Sequence, residues 1–346
     1  MLILRESDIA PILTTLSRPQ AHTLLLSLWR SLASYSAQNG TSKTIHQPMR
    51  EVIYTSEQNT TLIMPASDTH ATTGLKVVTL PGKGGAPKGA INIFSPEGNL
   101  EGVLNAELIT AFRTALAAMV PFVWHGLREG RESEVLVFGA GKQAEWHVRL
   151  VLLLAGERVK RVTVVNRGRK GVEKLWGELA EVDKAYPDVE LVYRSREDAD
   201  FGNDQLKEVV SAADAVFCCT PSTEPLFTGD YLQGTKRRFI SCIGSYKPHM
   251  QEIDSTTLLL GGKILVDSKE ACLKEAGELI IAGVQEEQLI EIGELDIQTS
   301  LDGKTAGGEG HTVFKCVGMG IMDLVVGREL LNIAGEKGVG VKIDEF

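Results

Sequence analysis

A glycine-rich turn that joins a strand to a helix constrains the fold of this 346-residue chain more than any other feature. The apolar run Val135–Phe138 leads into Gly139-Ala140-Gly141, and Ala144 takes the third small position of a G-x-G-x-x-A pattern. Gly139 permits a tight turn, Gly141 lets the backbone approach a pyrophosphate, and Ala144 allows helix and strand to pack closely. The pattern predicts a dinucleotide site whose contacts are Gly139, Ala140, Gly141, Lys142, Gln143 and Ala144.

The end of the next predicted strand indicates which dinucleotide this turn binds. In the run Val162–Lys170, Asn166 and Arg167 stand where an NAD site places Asp or Glu on the ribose 2′-hydroxyl. A carboxylate there repels a 2′-phosphate, whereas a guanidinium can pair with it through two hydrogen bonds. The residues favour NADPH (NADP+) as the cofactor, with Asn166 and Arg167 as contacts. A solvated basic turn after a core strand is the alternative.

Strands and helices alternate from residue 135 onward. The predicted strands are 135–138, 161–166, 189–193, 214–219, 238–243 and 263–267. This alternation is typical of a Rossmann-type doubly wound parallel sheet. Thr220 follows the fourth of these strands and Ile243 ends the fifth. Both are therefore expected at the edge where the sheet opens onto the cofactor.

The first third of the chain has a different pattern, typical of an antiparallel or mixed sheet with helices. Helices are predicted over 19–36 and 107–126, the second with Asn105 as its N-cap. The short strands between them are predicted at 61–64, 75–80, 90–94 and 100–104. A last helix, 312–334, follows the glycine-rich loop 307–310. We therefore predict an α/β protein of two domains, one a doubly wound parallel sheet and one α+β.

Composition and charge narrow the range of partners. The formal net charge of −9 and a pI near 5.4 argue against nucleic acid and anionic membranes. The five cysteines show neither a C-x-x-C pair nor metal-ligand spacing, which favours free thiols in a reducing compartment and predicts no metal site. The longest apolar stretch, Val148–Ala155, is far short of a membrane span. We expect a soluble, cytoplasmic protein.

Six segments resemble the ornithine cyclodeaminase/mu-crystallin family, in order and spacing, across nearly the whole chain. They are Gln47–Arg50, Gly74–Val78, Leu108–Ala115, Gly139–Ala144, Val266–Glu278 and Thr312–Lys315. The pair Asn166-Arg167 is most similar to the NADPH-dependent ketimine reductases of that family. The resemblance implies a dimerisation and substrate domain at 1–118, completed by 312–346, and a Rossmann domain at 119–311. It also implies a homodimer whose subunits join their β-sheets.

The resemblance further implies a carboxylate-bearing small-molecule substrate, held by Arg50, Lys76 and Arg113. Arg50 offers a planar fork for bidentate capture of the carboxylate. Lys76 lies among apolar residues of a predicted strand, where alternation by itself favours an outward side chain and the resemblance implies an inward one. Arg113 lies on a predicted helix. A surface salt bridge is its plain interpretation, and the resemblance makes it a contact to substrate or cofactor.

Two positions depart from the cyclodeaminase pattern. The resemblance places a catalytic aspartate two residues before Pro248 and a lysine two residues after it, and this chain has Tyr246 and Met250 there. Cyclodeamination needs a base early in the reaction, and a phenol with a pKa of about 10 is a poor base at neutral pH. Tyr246 can still donate a proton, as can Lys76, and these two are the predicted catalytic residues.

The residue types therefore favour hydride delivery to a C=N carbon. We predict an NADPH-dependent oxidoreductase that reduces cyclic ketimines or related 2-imino carboxylic acids. Two alternatives stay open: an ornithine-type cyclodeaminase or amino-acid dehydrogenase of the same family, and a non-catalytic, NADPH-dependent binder of a small carboxylic ligand. The sequence does not identify which imino or amino acid is the substrate.

Overall fold

The computed structural model describes residues 1–38, 43–123, 127, 132–232, 234, 236–262, 264–296 and 310–345. Two compact units form: unit 1 comprises Met1–Arg113 and Gly318–Phe346, and unit 2 comprises Thr114–Val317. The sequence predicted a Rossmann domain at 119–311. Unit 2 is slightly longer than this at both ends. Within the described ranges, no helix combines the length and apolar character that crossing a bilayer requires.

The described elements are numbered in chain order. The strands are β1 (Leu2–Leu4), β2 (Ile45–His46), β3 (Glu51–Tyr54), β4 (Thr60–Asp68), β5 (Thr72–Leu80), β6 (Lys88–Phe94), β7 (Leu100–Asn105), β8 (Ser133–Phe138), β9 (Val159–Asn166), β10 (Glu190–Ser195), β11 (Ala215–Cys218), β12 (Phe239–Cys242), β13 (Ile264–Val266), β14 (Leu289–Glu291), β15 (Thr312–Lys315) and β16 (Val341–Lys342). The α-helices are α1 (Glu6–Thr14), α2 (Arg18–Ser36), α3 (Ala106–Pro121), α4 (Lys142–Ala155), α5 (Arg169–Ala185), α6 (Asn203–Ala212), α7 (Ser255–Leu259), α8 (Lys269–Glu275), α9 (Gly277–Ile281) and α10 (Gly320–Lys337).

Unit 1 is a mixed sheet with helices packed on it. Its strand order is β16-β1-β7-β6-β5-β4-β2, and β3 also pairs with β4. The pairs from β4 to β7 are antiparallel, whereas β1 and β7 run parallel. The side chain of Asn105 accepts a hydrogen bond from the Glu107 amide at 2.9 Å, as expected of an N-cap of α3.

Glycines let α10 approach the sheet of unit 1 closely. A Cβ atom on Gly74 of β5 would lie 2.5 Å from Leu324 Cδ2, and one on Gly327 of α10 would lie 2.7 Å from Ile93 Cδ1. Both contacts are shorter than real Cβ atoms show, so a side chain at either position would displace the tip of Leu324 or Ile93, and glycine avoids this displacement. The close approach brings the buried residues of α10 directly over β5.

Unit 2 is a wholly parallel sheet in the order β10-β9-β8-β11-β12-β15-β13-β14. The order reverses at β8, which has β9 on one side and β11 on the other. Because parallel crossovers are right-handed, such a reversal puts the connecting helices on opposite faces. Ligands bind outside the carboxyl ends of the strands at this switch point. The Rossmann-type fold class predicted from the sequence is confirmed.

Most of the strands and helices predicted from the sequence are present, and one predicted helix is partly wrong. Strands β4–β7, strands β8–β13 and helix α2 occupy the predicted regions, although β4 and β5 are longer than predicted. The helix predicted at 312–334 is wrong over its first residues, because Thr312–Lys315 forms β15 between β12 and β13, and α10 begins only at Gly320. These apolar residues form a strand because β15 pairs in parallel with a strand on each side, in a sheet whose central strands are buried. Residues 124–126 and 307–309 lie outside the described residues.

Candidate active site

A buried lysine marks the candidate substrate site of unit 1. Residues of β5 alternate between buried and partly exposed positions, and Lys76 falls on the buried face with Gly74 and Val78. Only 1% of its surface is exposed. Its Nζ atom lies 2.6 Å from Oδ2 of Asp323, a fully buried carboxylate on α10. The outward orientation that strand alternation favours is thus wrong, and the inward orientation implied by the resemblance is confirmed.

Arg113 shares the carboxylate of Asp323. Its Nε atom lies 3.1 Å from Asp323 Oδ1, and its Nη1 atom lies 3.5 Å from the Met322 sulfur. The surface salt bridge considered from the sequence is excluded, because Arg113 is only 4% exposed. Gly318 has φ +88°, and a Cβ there would lie 2.6 Å from Nη1 of the guanidinium. Two cations and one anion therefore form a buried cluster of net positive charge, suited to an anionic ligand.

Burial lowers the proton affinity of Lys76 in this cluster. Desolvation lowers the pKa of Lys76 to about 8, an effect that Asp323 opposes and that the positive charges of Arg113 and Arg50 reinforce. A lysine with such a pKa can exchange a proton near neutral pH, which an ordinary lysine cannot. The site can therefore hold a carboxylate and also move a proton.

Arg50 belongs to the same electrostatic environment. It is half-buried in the segment between β2 and β3, and its charge acts on Lys76. Gln47, in the same segment, accepts a hydrogen bond from the Ile321 amide in the first turn of α10 at 2.9 Å. This bond ties the segment to the helix that carries Asp323. The three predicted substrate residues, Arg50, Lys76 and Arg113, are thus brought together in unit 1.

The glycine turn of unit 2 has the geometry that a dinucleotide needs. Gly139 has φ +109°, and Gly141 is the N-cap of α4 without a side-chain cap. A Cβ on Gly141 would meet no atom within 4 Å, so space for a phosphate lies beside the first amides of α4. Ala144 is fully buried, as close packing requires. The Lys142 ammonium pairs with Glu145 at 2.8 Å. The backbone amide of Lys142 is therefore the group that this residue offers to a phosphate.

A cavity of about 330 Å³ opens beside the carboxyl ends of β8, β9 and β11. Its lining includes Asn166, Arg167 and Thr220. The Asn166 side chain donates to the Gly168 carbonyl at 2.8 Å, which shapes the turn. Arg169 forms an ion pair with Asp198 at 2.5 Å and does not line the cavity, whereas Arg167 does. Of the basic residues in this turn, Arg167 is the one that lines the cavity, together with Arg196, the residue after β10.

Thr220 and Ile243 lie at adjacent strand ends, as the sequence predicted. The Ile243 amide donates to the Cys218 carbonyl at 3.0 Å, which continues the ladder between β11 and β12. Thr220 donates from its amide and its hydroxyl to Glu252 Oε1, at 2.6 and 3.0 Å. No sequence pattern pointed to Glu252, which is fully buried in the segment before α7.

Tyr246 occupies the loop after β12 in unit 2. Its side chain is half-buried, and the Lys247 ammonium lies 5.7 Å from the centre of its ring. The preceding residue, Ser245, is fully buried between Glu278 and Lys315 and hydrogen-bonds to both. The catalytic role of Tyr246 stays a prediction.

Sequence reasoning missed the buried carboxylates Asp323, Glu252 and Glu278. One signal was present, because Asp323 is a lone acid within the apolar run of α10, and acids are almost never fully buried without a partner. Cys242, Glu252 and Glu278 bring donor atoms within 4.8 Å of one another. The Lys315 ammonium lies 3.3 Å from Glu278, so it already supplies the positive charge that these carboxylates need.

Known proteins resemble this chain in sequence. The model of the ornithine cyclodeaminase/mu-crystallin family matches residues 21–337. The chain is 28% identical over 326 residues to a Δ1-pyrroline-2-carboxylate reductase of Bacillus cereus, covering 91% of this chain and 92% of that protein. It is 29% identical over 317 residues to the ketimine reductase mu-crystallin of Macropus fuliginosus, covering 88% and 90%.

A solved structure shows the same fold. The Thermococcus litoralis Δ1-pyrroline-2-carboxylate reductase, in complex with NADH and L-proline, matches with a TM-score of 0.80 at 23% identity. The match covers 99% of this chain and 100% of that one. Both units described above therefore recur together in a protein that holds a dinucleotide and a small carboxylic acid.

Proposed function

The chain belongs to the ornithine cyclodeaminase/mu-crystallin family, and from this premise we propose that it is an NADPH-dependent reductase of cyclic 2-imino carboxylic acids. Such enzymes are NAD(P)-dependent oxidoreductases that act on a C=N bond. The observation that carries the proposal is the buried cluster of Lys76, Arg113 and Asp323, which combines an anion site with a lysine whose pKa burial lowers to about 8. Relatives named Δ1-pyrroline-2-carboxylate reductase and ketimine reductase support this reaction class.

The residues of unit 1 would bind the imino acid and manage its charge. Arg50 and Arg113 hold the substrate carboxylate, and the remaining positive charge of the cluster favours an anion. Lys76 holds a proton at Nζ, from which the imine nitrogen can be protonated. A protonated imine is more electrophilic at carbon. When bound, the nicotinamide supplies the hydride.

The residues of unit 2 favour reduction over cyclodeamination. Tyr246 stands where the family's cyclodeaminases have a catalytic aspartate, so the base that removes a proton from a substrate amine is missing. The Tyr246 phenol can assist protonation of the product nitrogen as a general acid. An imine that arrives already formed needs no such base.

Substrate choice provides the direct test. Purified protein with NADPH is expected to reduce Δ1-pyrroline-2-carboxylate and Δ1-piperideine-2-carboxylate, monitored by the absorbance of the reduced nicotinamide. Ornithine with NAD+ is expected to yield no ammonia, because the deaminating route lacks its base. Release of ammonia and proline at a rate comparable to imine reduction would make the protein a cyclodeaminase. Binding of the imino acid without turnover would make it a binding protein.

The preference for NADPH is expected to depend on Arg167. The variant Arg167→Ala loses a charge-assisted contact to the 2′-phosphate worth roughly 1.5–3 kcal/mol, so its NADPH Kd should rise about tenfold or more while the NADH Kd changes little. Fluorescence titration of both coenzymes measures this. Arg194→Ala is the matched control, because Arg194 is exposed on the neighbouring β10 and does not line the cavity. Equal weakening of both coenzymes would remove the assignment of NADP.

The protein is expected to be a homodimer that uses β3. This strand exposes Val52, Ile53 and Tyr54 by 42%, 49% and 75%, an apolar edge that a second copy would cover. Light scattering at micromolar concentration should give twice the chain mass of 37.6 kDa. Ile53→Lys should shift the mass toward the monomer, whereas Ile281→Lys, at an exposed residue of α9, should not. A monomer mass for the parent protein would exclude the dimer.

A further inference from the structure

One buried carboxylate joins two loops at the carboxyl edge of the sheet in unit 2. Glu252 is fully buried, and its Oε1 atom accepts hydrogen bonds from the amide and hydroxyl of Thr220 at 2.6 and 3.0 Å. Its Oε2 atom accepts from the Gly244 amide at 2.7 Å. Three donors from the loops after β11 and β12 therefore converge on a single side chain.

These two loops are packed against each other and against the glycine turn. A Cβ on Gly244 would collide with the Thr220 carbonyl, and a Cβ on Gly139 would lie 2.7 Å from the Cys219 carbonyl and 3.3 Å from Thr220 Cγ2. A displacement of the Thr220 loop would therefore also move the glycine turn that is expected to bind the pyrophosphate.

A second set of contacts, made by Glu278, Ser245 and Lys315, holds Glu252 in place. The Glu252 amide donates to Glu278 Oε1 at 2.9 Å, and Glu278 also accepts from the Ser245 hydroxyl. Lys315 lies 3.3 Å from Glu278 Oε2 and donates to Ser245. Glu278 and Lys315 are both buried, with 1% and 0% of their surfaces exposed. The carboxylate of Glu252 thus sits on a rigid, charged support and has little freedom to move.

We propose that Glu252 is a positioning residue for the coenzyme: its ionised carboxylate holds the Thr220 and Gly244 loops in the conformation that receives the dinucleotide, and its protonation releases one of them. This inference rests on the dinucleotide site of the proposed function. Glu252 itself touches neither substrate nor reacting atoms in this scheme; it acts through the two loops.

The charge of Glu252 can change in the ordinary pH range. Burial raises its pKa to about 7, and Lys315 opposes this effect. The other titratable groups that act on Glu252 are Glu278, which raises its pKa, and the buried thiols of the neighbouring strand ends, Cys218, Cys219 and Cys242. As the pH falls through about 7, one carboxyl oxygen gains a hydrogen, which then faces a donor amide or hydroxyl. Coenzyme affinity is therefore expected to fall as pH decreases through 7.

Direct titration of the coenzyme tests the proposal without any turnover. NADH is the first probe, because it lacks the 2′-phosphate, which itself titrates near pH 6; NADPH is the second. For the parent protein, the Kd measured by nicotinamide fluorescence should rise about tenfold from the alkaline to the acidic side of pH 7, the loss of one charge-assisted hydrogen bond. Glu252→Gln should bind weakly on both sides, with no dependence on pH. Glu287→Gln, at an exposed glutamate of the same unit, should behave as the parent does.

The outcomes are distinguishable. Coenzyme affinity that is the same in Glu252→Gln and parent, at both pH values, overturns the role of Glu252 and leaves the proposed function intact. Absence of any coenzyme binding to the parent overturns both. If Glu252→Gln does not fold, which its circular dichroism and Tm would show, the parent decides alone: an NADH Kd that does not change through pH 7 overturns the proposal.

Discussion

The variant Lys76→Met is expected to lose on the order of 10²- to 10⁴-fold in kcat for the reduction of Δ1-pyrroline-2-carboxylate, the usual contribution of a positioned acid. Methionine has a similar length and is apolar, so it suits a position that is 1% exposed. Asp323 keeps one cationic partner, because Arg113 lies 3.1 Å away. The fold should therefore survive while the proton is lost.

The pH profile identifies the lysine as the cause. In the parent, the rate should fall as pH rises through about 8, where Lys76 loses its proton, and this limb should be absent from Lys76→Met. Lys88→Met provides the matched control, since Lys88 is an exposed lysine on β6 of the same sheet. A parent-like kcat in Lys76→Met would exclude Lys76 from the chemistry and leave proton transfer to Tyr246 or to water.

Removing the shared anion is expected to have the second largest effect. Asp323→Asn leaves Lys76 and Arg113 as buried cations without a carboxylate, which should lower the free energy of unfolding by about 3–5 kcal/mol. Both cations should also shift, and a misplacement of about 1 Å costs on the order of 10²-fold in kcat/KM. Chemical denaturation and steady-state kinetics measure the two effects separately.

The direction of the pH shift separates an electrostatic role from a merely structural one. Asp323 raises the pKa of Lys76, so its neutralisation should move the alkaline limb of the rate to lower pH. Asp344→Asn is the control, because Asp344 pairs with Lys342 at 3.3 Å on the exposed surface, where such pairs contribute little. An unchanged limb in a folded Asp323→Asn protein would show that Asp323 does not tune Lys76.

The coenzyme half of the molecule follows from short, contiguous signals. The turn Gly139–Ala144 encodes its own geometry, because a positive φ at Gly139 and the small side chain of Ala144 are local requirements. The alternation of strands and helices after residue 135 likewise predicted the parallel sheet, since each strand carries its own apolar pattern. Strand β15 was not predicted. Its four residues are too few to show a period, and only their pairing with β12 and β13 makes them a strand.

The orientation of Lys76 shows where local patterns fail. An alternating strand presents one residue in two to the interior, but the pattern cannot say that a charged residue belongs there. Gly74 and Gly327 let α10 settle on the sheet, and this contact brings Asp323 to Lys76. The partner on which the buried ammonium depends is therefore supplied by a distant part of the chain.

The sequence by itself determined the dinucleotide turn and the parallel sheet that carries it, because each depends on neighbouring residues. The cationic residues available to a carboxylate were identified only by the resemblance to a family. Only the tertiary structure decided which carboxylates support them. Asp323 lies 210 residues from Arg113, and Glu252 lies 32 residues from Thr220. A buried charge is tolerated only where another part of the fold brings its partner within hydrogen-bonding distance. A local pattern of residues cannot predict such a contact, because the partner lies far away in the sequence.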